Sequence, residues 1–91
     1  MEYLHKEFVL AEGDVVEVIL SGNAANVLLL DPNNFQNYLQ DKPCTYEGGY
    51  ARTTPVRIQA PHEGRWHLVI DLGGGAGRVS ASSRVISRQL S

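Results

Sequence analysis

The sequence predicts an all-β chain, a small two-layer antiparallel β-sandwich of jelly-roll-like character, with one short helix or helical turn near residues 32–40. Three observations carry this. Apolar and polar residues alternate along short runs, most clearly where Trp66, Leu68, Ile70 and Leu72 alternate with Arg65, His67, Val69 and Asp71. Turn residues punctuate the chain at short intervals, from Glu12-Gly13-Asp14 and Ser21-Gly22-Asn23 to Pro61-His62-Glu63-Gly64 and a glycine-rich GGGAG. Apolar residues make up 43% of 91 residues, which is ordinary for one globular domain and too high for disorder.

The elements follow in order. Tyr3 to Leu10 reads as a first strand with Leu4, Phe8 and Leu10 inward and Lys6 as the exception on that face. Gly13-Asp14 turns the chain into Val15 to Leu20, where Val16, Val18 and Leu20 share one face and Val15, Glu17 and Ile19 the other. Asn26 to Leu30 carries Val27-Leu28-Leu29-Leu30, an apolar run that fits a strand covered on both sides. Asp31-Pro32 is an N-cap followed by proline at the first helical position, and Phe35, Tyr38 and Leu39 form an apolar stripe, so Pro32 to Gln40 predicts a short amphipathic helix.

Cys44 to Ala51 predicts an edge strand in which Gly48-Gly49 suggests a bulge. Pro55 to Ala60 alternates with Val56, Ile58 and Ala60 inward. The run Gly64 to Leu72, the glycine turn and the run Val79 to Val85 predict a final hairpin with Trp66 at the centre of the core. His67 stands on the outward face of that hairpin, and Gln89-Leu90-Ser91 is expected to fray.

Charge is unevenly divided. Residues 1–50 hold eight acids and two bases (−6), and residues 51–91 hold six arginines and two acids (+4). Strands of the two halves lying side by side would neutralise each other; a basic face meeting an acidic partner is the alternative. Cys44 is the single cysteine, so no internal disulfide forms, which fits a reducing, cytoplasmic setting. The opening MEYLHKEFVLAEGD lacks the apolar core of a secretory signal, and no stretch reaches the ~20 apolar residues of a membrane helix.

The chemistry-bearing motifs are sparse. Gly73, Gly75 and Gly77 precede a strand pattern, whereas a phosphate-binding loop must open a helix. His5, His62 and His67 lack metal-ligand spacing, and Asp31-Pro32-Asn33-Asn34 lacks the glycine and closing glutamate of a calcium loop. No serine sits in a nucleophile elbow and no acid pair stands out, so no metal, no cofactor and no catalysis are expected. Tyr46, Gly48 and Tyr50 share strand parity and could wall a shallow aromatic slot. Arg78, Ser80, Ser82, Arg84 and Arg88 form a polar, basic row without the aromatics that nucleic-acid binding would need.

The segments GDVVEVILSG, NVLLLDPNNFQNY, YEGGY, PVRIQAPHEGRWHLVIDLGG and RVSASSRV, spread over the whole chain, resemble a family of short bacterial domains, the domain-of-unknown-function family number 1883. The resemblance implies a compact β-sandwich without assigned catalytic residues. Some members of that family precede a Toll/interleukin-receptor-type effector domain, which implies a recognition or assembly role. The strand order also loosely resembles jelly-roll domains attached to secreted peptidases.

The expectation is therefore a non-catalytic binding or assembly module of the bacterial cytoplasm. Its contact face would comprise Tyr46, Gly48, Tyr50, Arg57, Arg65, Arg78 and Arg84. A protein partner, self-association or a small ligand would meet that face; no membrane is expected there, and the face does not favour nucleic acid. A small-molecule or carbohydrate sensor using the aromatic slot is the alternative.

Overall fold

The computed structural model describes residues 2–87. Seven strands and one helix follow in the order β1 (Tyr3–Leu10), β2 (Val15–Gly22), β3 (Ala25–Leu30), α1 (Pro32–Leu39), β4 (Glu47–Ala51), β5 (Val56–Gln59), β6 (Gly64–Asp71) and β7 (Val79–Ile86). A four-stranded sheet has the order β1-β6-β3-β4 and a three-stranded sheet the order β5-β2-β7. Every strand pair is antiparallel. The chain thus forms the predicted two-layer sandwich. Its jelly-roll character lies in the connections, since only β3 and β4 are consecutive strands within one sheet.

Between the layers lies the main core. Leu10, Val16, Val18, Val27, Leu29, Ile58, Leu68 and Ile70 surround Trp66, which is 3% exposed, as the alternation of β6 predicts. Burying each of these aliphatic side chains contributes about 1.5–3 kcal/mol. The Trp66 indole N–H donates to the carbonyl of His62 at 3.1 Å, so its one polar atom is satisfied without leaving the core.

A second, smaller core explains the four apolar residues in a row on β3. Val27 and Leu29 face the other sheet, while Leu28 and Leu30 pack with Val69 beneath Phe35 of α1. The helix begins as predicted: the Asp31 carboxylate accepts from the Asn34 backbone N–H at 2.7 Å and Pro32 occupies the first turn. Phe35 is buried, Tyr38 is half-buried and Leu39 is exposed, so only part of the stripe is covered.

Four expectations are corrected. β6 and β7 do not form a hairpin; they belong to different sheets, and residues 72–78 carry the chain across the sandwich. The segment opens no helix, but its glycines serve a layer crossing: Gly77 lies where a side chain would strike Asn23, the Asn23 backbone N–H donates to the Arg78 carbonyl, and the Arg78 N–H donates to the Asn23 side-chain oxygen. β4 is an edge strand that begins at Glu47 instead of Cys44, and its register against β3 runs unbroken through Gly48 and Gly49, so there is no bulge. β5 is shorter than Pro55 to Ala60. His67 is buried, because α1 covers the face of β6 that alternation alone would give to solvent. Arg88 and the 89–91 segment lie outside the described residues.

Candidate functional site

The seven residues expected to form one contact face are spread over four places, with Arg57 shared by two of them. Arg57 on β5 and Arg84 on β7 flank Glu17 of β2 on the outer face of the three-stranded sheet, with contacts of 2.9 and 2.7 Å. Glu17 is buried between them. Hydrogen bonding to Arg84 holds its carboxyl below the ordinary value, burial opposes this, and Arg57 adds to the lowering. Arg65 lies on the outer face of the four-stranded sheet, 3.1 Å from Glu7 of β1. Ser80 and Ser82 stand beside Arg84, in register with Ser21 and Ile19 of β2. In each of these ion pairs the acid comes from the first half of the chain and the arginine from the second, which is the side-by-side neutralisation that the charge asymmetry predicts.

Gly48, Tyr50 and Arg57 are brought together. They line an open groove of about 500 Å³ where the edge strands β4 and β5 meet across the two layers. Tyr50 is 65% exposed and Tyr46, just before the strand, 45%. Gly48 leaves no slot between the rings. It has φ +106°, and a side chain there would meet the Val27 carbonyl and the Ile58 methyl, so glycine permits the layers to close on this flank. Tyr46 turns to an adjoining recess of about 150 Å³ shared with Asp31, Asn34, His62 and Trp66.

Arg78 stands apart, on the opposite flank. It borders a groove of about 630 Å³ between β1 and β7, whose walls are Tyr3, Leu4, Ile70, Leu72 and Val79 and whose rim also carries Glu2.

Two polar clusters under α1 escaped the sequence reading. His5 of β1 and His67 of β6 join ring nitrogen to ring nitrogen at 2.8 Å, and the Phe35 ring stacks against both at 4.6 and 4.2 Å. Burial lowers the His67 pKa, the neighbouring His5 lowers it further, and Glu7 only partly opposes them. Asp71 is buried beside them. It accepts from the Tyr38 hydroxyl at 2.5 Å, the Asn26 amide at 2.8 Å and the Gly73 backbone N–H at 2.8 Å. Burial alone would raise its pKa; these three donors outweigh it and bring the value down. The same arrangement, burial first, pushes the Tyr38 hydroxyl up. Each cluster ties α1 or the 72–78 crossing to the four-stranded sheet. The sequence signal was the i, i+3 pair Phe35 and Tyr38 on α1, which had to cover something.

Among the described residues no group of three or more histidine, cysteine, aspartate or glutamate side chains is placed to hold a metal ion. Among them, too, no helix is long and apolar enough to cross a membrane. The family model described as Domain of unknown function (DUF1883) matches residues 1–89. No curated protein and no solved structure matches the chain.

Proposed function

The chain belongs to this family, and we propose that it is a non-catalytic binding or assembly module of the bacterial cytoplasm that meets a protein partner through the β4–β5 flank. One observation carries the reading: Tyr50 is 65% exposed on an edge strand that borders a groove with Arg57 on the facing strand, and Tyr46, just before that strand, is 45% exposed at the adjoining recess. Exposed tyrosines supply contact area at low entropic cost and carry a hydroxyl for the polar rim. Arg57 presents its guanidinium already oriented by Glu17, so little ordering remains to be done on binding. The lone Cys44 supports the reducing compartment.

The test is the double substitution Tyr46→Ala and Tyr50→Ala. Both rings are exposed, so the melting temperature stays within about 4 °C of the parent, while the tagged domain loses the partner that the parent captures from native bacterial lysate. A collapse of the melting temperature, or capture that survives the substitution, refutes the reading. The recess shared by Tyr46, Trp66, Asp31 and Asn34 favours a second reading, a sensor of a small polar molecule or sugar. A thermal-shift screen separates the two: a sensor gains stability with a soluble ligand above its Kd, and an assembly module does not.

A further inference from the structure

The two layers are unequal, four strands against three. β5 sits against β4 on the closed flank, where Ile58 comes up to Gly48, so the fourth strand of the larger sheet, β1, projects beyond β7 on the other flank. The consequence shows in the side chains. Leu10 at the end of β1 is buried, but Leu4, on the same inner face, is 42% exposed. Across the gap Val79 of β7 faces the same groove as Leu4, and farther along that strand Val85 is 40% exposed. Among the described residues β7 pairs with β2 alone, so along its eight residues one edge offers backbone N–H and C=O groups. The groove between β1 and β7 opens beside that edge. Strands lie about 4.8 Å apart within a sheet, and the deficit is one strand.

We infer that this flank seats one extended strand of a partner protein, which pairs with the edge of β7 and lays two apolar side chains over Leu4 and Phe8 and a carboxylate over Lys6. The chemistry of the inner face of β1 selects that partner. Its row reads Leu4, Lys6, Phe8, with the Lys6 ammonium 5.3 Å from the centre of the Phe8 ring. A strand with apolar, acidic and apolar residues at alternate positions matches that row; Arg78 and Glu2 offset each other at the groove rim, so Lys6 carries the charge selection. A second copy offering its own β1 would bring Lys6 against Lys6, so the pattern favours a different chain. This surface is separate from the Tyr46–Tyr50 flank and stands or falls independently of it.

The experiment uses two seven-residue peptides that alternate threonine and valine and carry either glutamate or lysine at the central position, titrated against the whole domain by fluorescence anisotropy. The net charge of the chain is −2, so long-range attraction favours the lysine peptide, and a preference for glutamate reads the local site. The expected result is about tenfold tighter binding of the glutamate peptide, inverted by Lys6→Glu, with both peptides weakened by Leu4→Ser and the preference untouched by Tyr50→Ala. Equal affinities, no saturable binding, or a preference that Lys6→Glu leaves in place would overturn the inference. So would sedimentation as a dimer that excludes both peptides, because a second copy would then hold the flank.

Discussion

Among the described residues Glu17, His67 and Asp71 are the buried titratable side chains, and each sits in a setting that favours the form it holds near neutral pH. His67 has a folded pKa below its ordinary 6.5, so the unfolded chain takes up a proton first. Stability that is full above that value is lost as the pH falls from it toward the folded one. Glu17 and Asp71 lie below their ordinary 4.5 and 3.8, so the stability they contribute is present above those values and disappears as the pH drops through the lower folded ones. Urea unfolding at a series of pH values is therefore expected to show a first decline beginning near 6.5 and a second in the carboxylate range, and His67→Gln to remove the first only. A flat profile between 6.5 and 4.5 would contradict the buried, paired histidine. Asp71→Ala leaves the Tyr38 hydroxyl, the Asn26 amide and the Gly73 N–H without their common acceptor, at a cost of about 2–4 kcal/mol in the same measurement.

At the scale of elements, α1 is held by two aromatics, Phe35 in the second core and Tyr38 on Asp71. Phe35→Ala removes the ring that closes the second core and caps the histidine pair, with an expected loss of about 3 kcal/mol and chemical-shift changes centred on β1 and β6. Gly48→Ala drives a methyl into the Val27 carbonyl of the neighbouring strand β3, and against the Ile58 methyl, at a left-handed φ, and should lower stability by about 1–3 kcal/mol by disturbing the β3–β4 pairing. Alternation placed each strand, because Val16, Val18, Trp66 and Leu68 each sit on the face that period two assigns. The N-cap at Asp31 was legible for the same reason: its cause is local. The partner of β7 was not legible. A glycine-rich segment of residues 72–78 can close a hairpin or cross between layers, and the choice depends on the Asn23 turn, which packs on Gly77 and pairs with Arg78 from 55 residues away. The burial of His67 was hidden similarly, since nothing in β6 says that a helix will lie over its second face.

For the whole molecule, the division of charge along the sequence is spent inside it. Glu17 with Arg57 and Arg84, and Glu7 with Arg65, join the acidic half to the basic half across both sheets, so most of the arginines expected to greet a partner are already engaged. That left the candidate surface only partly readable from sequence. Tyr46, Tyr50 and Arg57 converge on one flank, Arg78 marks the other, and Lys6, the exception on β1, gains a reason only when β1 is seen to outreach the smaller sheet. The proposed recognition surfaces are thus the two flanks of the sandwich.

Amide chemical-shift mapping of the ¹⁵N-labelled domain during titration with the glutamate-centred peptide tests this most directly. The account predicts shifts along β7 and the inner row of β1, with slowed hydrogen exchange at the β7 amides. Shifts centred on His5, His67 and Asp71 beneath α1, with β7 unchanged, would contradict it.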